Sequence, residues 1–210
     1  MKRTLFLTVA IILFQSAFAI SGPRLISNIR SNYAKMKTFE ADFTQIQVWE
    51  LAAEESRVSG KIYMKNDDSF RLETPGGFIL SDGKTVWRYS EENAQVLIES
   101  IKENEDTMLP GKIFFDFTDK YFLKDHFERK QNGATVYFLE LISPPDNPKF
   151  INRLRVKTDR NFTPFEIDYF DLDDNKTTFI LENIVINGQV DNSKFIFQKP
   201  SEGVSIMDLR

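Results

Sequence analysis

The chain has 210 residues, no cysteine, and 31 acidic against 27 basic side chains, for a formal charge of −4. Without cysteine there is no disulfide, no thiolate metal site and no cysteine nucleophile. The mild acidity also argues against nucleic acid and anionic lipid surfaces, since both reward a basic patch.

The first element is residues 1–19. Lys2 and Arg3 make a basic start, residues 5–14 are an apolar run, and Ala17-Phe18-Ala19 is a small-x-small cleavage site. A bilayer span needs roughly 20 apolar residues, so this run is too short for one. The expectation is a signal peptide over 1–19 and one exported, soluble domain over 20–210, with no cysteine at the cut to take a lipid anchor. Such a domain is held by its core and its sheet hydrogen bonds alone, and its length allows that.

From Pro23 onward, Leu25, Ile29, Tyr33 and Met36 recur at helical spacing, and Ile26 widens the stripe. Pro23 suits a first helical turn. After Thr38 the period becomes two: Phe39, Ala41 and Phe43 alternate with polar residues. A charged turn over 52–57 leads to Val58, Gly60, Ile62 and Met64, and then to Phe70, Leu72 and Thr74. Residues 78–81 end at Asp82-Gly83, a hairpin signal, and 85–90 and 94–99 read as the next strands.

Residues 108–117 break the alternation with Pro110-Gly111 and closely spaced phenylalanines, which suggests short helices or a lid-like loop. Strands resume near Tyr121. Residues 127–131 and 135–143 flank Asn132-Gly133, and a proline-rich loop covers 144–148. Residues 151–158 and 165–170 flank a turn at 159–161, 177–186 ends at Asn187-Gly188, and 195–197 reads as a last short strand. Roughly ten or eleven strands joined by tight turns make antiparallel meanders, not βαβ units. So many strands in one domain curl into a barrel or half barrel.

The chain holds 20 Phe against 9 Gly. A concave sheet face lined with Phe, Leu, Ile and Met would suit an apolar ligand. At roughly 0.8 kcal/mol per methylene, a long acyl chain left in water costs on the order of 10 kcal/mol. Alternating Phe also makes ordinary core, and periodicity leaves the two open.

Sharper chemistry fails. Asp171, Asp173, Asn175 and Glu182 imitate a calcium loop, but Lys176 stands where the turn requires Gly and the flanks read as strands. A hairpin turn is the expectation there. His126 is the only histidine, too little for a typical zinc site without cysteine, and no serine elbow accompanies it. Gly76-Gly77 is not a phosphate loop.

Three stretches carry a family resemblance. Leu80-Ser81-Asp82-Gly83-Lys84-Thr85-Val86-Trp87-Arg88-Tyr89, followed by Gln95-Val96, resembles the SDGKTLWxY hairpin of the outer-membrane lipoprotein carrier (LolA) family. Phe39-Glu40-Ala41-Asp42-Phe43-Thr44-Gln45 resembles its FxAxFTQ first strand, and Ser193-Lys194-Phe195-Ile196-Phe197 through Pro200, Gly203 and Val204 resembles its closing segment. The order, spacing and length agree across the mature chain.

The resemblance implies a mainly β (α+β) fold, an unclosed antiparallel β-barrel of about 11 strands with a helical lid. It implies a monomeric periplasmic chaperone, neither enzyme nor ATPase, without cofactor or metal. Its partners would be triacylated lipoproteins, an inner-membrane lipoprotein-releasing ABC transporter and, if present, a LolB-like outer-membrane acceptor. A periplasmic binding or regulatory module for another hydrophobic ligand is the alternative. Phe70 and Leu72 match cavity positions of the family, with Met64, Ile62 and Phe43 as companions, Leu25 and Ile29 from the helix, and Ile113 and Phe114 from the lid. Trp87 and Tyr89 suit either face. Where many carriers have a lid-latching Arg-Pro this chain has Asn66-Asp67, so Arg71 and Asn66 are the candidates for lid contact. The lid is expected to close without cargo and to swing aside with it.

Overall fold

The computed structural model describes residues 20–101, 117–146 and 148–210, and the expected lid residues Ile113 and Phe114 lie outside them. A helix, α1 (Gly22–Lys35), precedes β1 (Thr38–Trp49), β2 (Glu54–Lys65), β3 (Ser69–Thr74), β4 (Gly77–Asp82), β5 (Thr85–Ser90) and β6 (Gln95–Ser100). A single turn, α2 (Phe117–Lys120), leads to β7 (Phe122–Gln131), β8 (Ala134–Ile142), β9 (Ile151–Thr158), β10 (Pro164–Asp171) and β11 (Lys176–Ile186). A 3-10 turn (Asn192–Phe195) and β12 (Ser205–Asp208) finish the chain.

The described strands form one 12-stranded sheet in the order β12-β6-β5-β4-β3-β2-β1-β11-β10-β9-β8-β7. β1 lies near the middle. One meander runs outward from it through β2 to β6; the second returns through β7 to β11, where β11 pairs with β1. β7 and β12 are the two edges and do not meet, so the barrel is unclosed.

The strands follow their sequence patterns closely. β5 and β9 have the expected bounds, and the Asp82-Gly83 and Asn132-Gly133 turns sit where expected, with Gly83 and Gly133 at φ +86° and +80°. The β1–β2 hairpin is longer than its apolar pattern. Pairing continues to Trp49↔Glu54, so the turn is confined to residues 50–53. At Gly60 β2 passes so close to the next strand that a Cβ would stand 1.9 Å from the Glu73 carbonyl oxygen.

The C-terminus departs from expectation. Phe195 to Phe197 is not a strand. The Asp191 side chain accepts a hydrogen bond from the Ser193 N–H at 2.9 Å, capping a 3-10 turn there. β12 comes later and runs parallel to β6, while the other described pairs are antiparallel.

Candidate functional site

Alternation sorts the side chains onto two faces. Phe39, Ala41 and Phe43 of β1 stand beside Met64, Ile62 and Gly60 of β2; Met64 and Ile62 stand beside Phe70 and Leu72 of β3. On the other side Phe43 meets Leu181, and the row continues through Phe179 and Ile167 to Val156 and Leu139. This is the concave face. The helix α1 lies on it with Leu25 and Ile29, and α2 adds Phe117, all in one continuous apolar cluster.

The expected ligand residues therefore converge. Phe43, Ile62, Met64, Phe70, Leu25 and Ile29 are buried members of the cluster, and Leu72 is half-buried against it. The face is covered by these helical segments. Leu25 is 0% exposed, Ile29, Ile62 and Met64 are each 1%, and Phe117 is 2%. The helix occupies the place where an apolar ligand would lie. An open groove of about 390 Å³ exists on the opposite face, between Phe127 and Phe138 on one side and Lys157 and Glu166 on the other.

Polar ties hold α1 down. Arg30 donates through Nε to Thr118 Oγ1 at 3.2 Å and through Nη2 to the Thr118 carbonyl. Asn32 donates to the Asn161 carbonyl in the β9–β10 turn. His126 lies on the concave side of edge strand β7, and its Nε2 is 3.2 Å from the Ile20 carbonyl just ahead of the helix. Gly22 sits against the same strand, where a Cβ would stand 2.5 Å from the Leu123 side chain.

The two candidates for lid contact, Arg71 and Asn66, are both placed. Arg71 lies between Phe70 and Leu72 in sequence, so alternation turns it to the convex face. There it pairs with Glu73 at 2.6 Å and stacks on Phe78 at 4.4 Å. Asn66 is exposed in the β2–β3 turn. An Arg-to-carbonyl bond does tie α1 to α2, through Arg30 and Thr118, and the sequence pattern does not single Arg30 out.

The C-terminal segment covers the convex face of β2–β6. Lys194 bonds Glu73 at 3.1 Å, Lys65 sits over Phe195 at 4.4 Å, and Phe197 stacks on Trp87 at 5.4 Å. Val204 packs with Val96 and Ile98, with Trp87 and Tyr89 around them, so both aromatic residues of the hairpin face outward under this strap. Burial opposes ionisation of Glu73, but the bonds from Arg71 and Lys194 outweigh it and lower its pKa. Within the core, burial pushes Tyr121 up to about 12 and Tyr169 well above the ordinary tyrosine value. Tyr121 donates its hydroxyl to the Ile151 carbonyl at 3.1 Å.

The calcium-like stretch forms the β10–β11 hairpin. Asp171 Oδ1 accepts from the Asp173 and Asn175 backbone N–H groups. Among the described residues no cluster of His, Asp and Glu could hold a metal ion, and no helix is long and apolar enough to cross a membrane.

The described strands thus form an unclosed, almost wholly antiparallel barrel with an amphipathic helix laid along its apolar concave face. The model of the family described as outer membrane lipoprotein carrier protein LolA matches residues 34–198, and the chain belongs to that family. It is 25% identical over 203 residues to the outer-membrane lipoprotein carrier protein of Cronobacter sakazakii, covering 93% of this chain and 94% of that one. It is also 25% identical to an uncharacterized protein of Methanocaldococcus jannaschii, of whose length it spans only 59%. Among solved structures, an uncharacterized conserved protein from Thermus thermophilus has the same fold, with a TM-score of 0.56 at 12% identity over 90% of this chain and 99% of that one.

Proposed function

We propose that the protein is a periplasmic carrier that takes up the acyl chains of triacylated lipoproteins and delivers them to the outer membrane. It works as a monomer without catalysis, receives cargo from an inner-membrane ABC transporter, and hands it to a LolB-like acceptor where one exists. The supporting observation is the convergence of Phe43, Ile62, Met64, Phe70 and Leu72 on one concave face, under a helix that presents only Leu25 and Ile29 as fully buried large side chains.

The helix acts as a stand-in for cargo. Burial of two aliphatic side chains stabilises the covered state by about 3–6 kcal/mol, whereas a long acyl chain gains on the order of 10 kcal/mol on leaving water. Acyl chains can therefore displace α1 from the sheet, while the empty protein hides its own apolar face. The polar ties at Arg30, Asn32 and His126 re-form when cargo leaves, which permits release. The residues offered as lipid contacts are Leu25, Ile29, Phe43, Ile62, Met64, Phe70 and Leu72, with Phe114 from the segment outside the described residues.

The test is to purify the mature protein from the periplasm and identify what accompanies it by mass spectrometry. Triacylated lipoprotein supports the carrier; free lipid alone overturns it in favour of a general lipid-binding role. Leu72→Glu is the informative variant, since Leu72 is only half-buried and the strand should survive. Cargo uptake should be lost with β content unchanged.

A further inference from the structure

The three most exposed large apolar side chains among the described residues are Leu51 at 92%, Phe150 at 67% and Leu172 at 60%. They are far apart in sequence but share one end of the barrel. Leu51 is in the β1–β2 turn, at the end of β1 remote from α1. Val48 pairs with Lys176 at the start of β11, so the β10–β11 turn bearing Leu172 is beside it. Asp171 pairs with Ile151, so Phe150 enters β9 beside that turn in its own right.

These neighbouring turns are fastened to one another. Asn175 Oδ1 accepts from the Glu50 N–H at 3.2 Å, and Arg153 bonds Asp174 at 3.1 Å. Successive hairpin tips in a sheet are two strand spacings, about 10 Å, apart. Leu51, Leu172 and Phe150 thus stand in a row along one rim. The rim is acidic around Leu51 and Leu172, where Glu50, Glu54, Glu55 and Asp173 are exposed; Asp174 is paired with Arg153, and Lys149 precedes Phe150.

We infer that this rim is a docking surface for a membrane-bound protein whose face offers apolar sockets framed by Lys and Arg. Apolar side chains are held out in water only at a cost, and such a row rimmed with charge fits a partner surface. The acidic frame selects against the bilayer itself, because anionic headgroups attract basic residues and repel acidic ones. The tips belong to interior strands of the sheet, so the contact is made by side chains and not by strand addition at an edge. The inference rests on the carrier reading only in placing the partner in a membrane.

The absence of cysteine makes a direct test possible. Leu51→Cys is labelled with an environment-sensitive thiol dye, and Arg129→Cys, on β7, serves as control. Each is mixed with spheroplasts of the source cells, or with protein-free vesicles made from their extracted lipids. The expected result is a blue shift of the dye at position 51 with spheroplasts, lost after protease treatment of their surface and weakened by high salt. Glu54→Lys with Asp173→Lys should weaken that binding about tenfold at low salt. An equal shift with protein-free vesicles, an equal shift at position 129, no shift at all, or no effect of the charge reversal overturns the inference. Binding of a fluorescent fatty acid by the same Leu51→Cys protein is measured separately. Its loss would count against the carrier reading and leaves the dye result readable.

Discussion

Removing the Arg30 guanidinium should loosen the closed state and tighten ligand binding at the same time. Arg30 reaches from α1 to α2, where Thr118 accepts from both Nε and Nη2. Hydrogen bonds to charged groups contribute about 1.5–3 kcal/mol, and the exposure of Arg30 reduces this to about 1 kcal/mol. Arg30→Ala should therefore lower the unfolding free energy by about that much, read from urea melts at unchanged m-value. If cargo and α1 compete for the concave face, apparent affinity is limited by the small open fraction. Weakening closure by about 1 kcal/mol raises that fraction about fivefold, and the affinity for a fluorescent fatty acid should rise by about the same factor. Arg30→Lys keeps the charge but not the forked guanidinium that reaches both Thr118 oxygens, and should fall between. A variant that loses stability with no gain in affinity would show that Arg30 is only structural and that the helix does not compete with ligand.

Three further outcomes follow from the geometry. Gly60→Ala should destabilise the protein by about 2–4 kcal/mol in a denaturant melt, because the methyl group meets the Glu73 carbonyl at 1.9 Å and backbone must move. The pKa of Glu73 is lowered in the folded state, so its bonds to Arg71 and Lys194 stabilise the protein above the ordinary carboxylate range and are lost as pH falls through it. Acidification through and below the ordinary carboxylate range should loosen the C-terminal strap, seen as a change in Trp87 fluorescence as Phe197 shifts, and Glu73→Gln should reduce that pH dependence, the remainder coming from Asp191 and Asp208, whose pKa values are also lowered. Tyr121 and Tyr169 have raised pKa values, so their contribution is intact below the ordinary value near 10 and is lost as pH rises toward 12. A spectrophotometric titration should show some of the 6 tyrosines ionising only as the fold is lost.

Much of this fold is written locally. Period-two alternation and the Asp82-Gly83 and Asn132-Gly133 turns mark β3 to β8 almost residue by residue, since tight turns fix register. The concave row is legible for the same reason: Phe70 and Leu72 share parity, and register with Met64 and Ile62 follows from the hairpin. That parity also places Arg71 on the convex face, where it pairs with Glu73. Arg30 carries no such signal. It is a charged residue on the solvent side of an amphipathic helix, and its partner Thr118 is 88 positions away. The Phe-Ile-Phe run at 195–197 imitates a strand, but Asp191 caps a 3-10 turn and both phenylalanines are taken up by Lys65 and Trp87 on the convex face. The parallel β12 has no local signature because its pairing with β6 depends on that strap crossing the barrel first.

The most direct measurement is transfer of acyl chains into solution. Membranes carrying lipoproteins labelled with radioactive palmitate are incubated with the purified mature protein and sedimented. The expected result is label in the supernatant, bound one to one with the protein and withheld by Leu72→Glu. Label that stays entirely in the pellet, with no binding of free fatty acid either, would contradict a sheltering role for the face beneath α1.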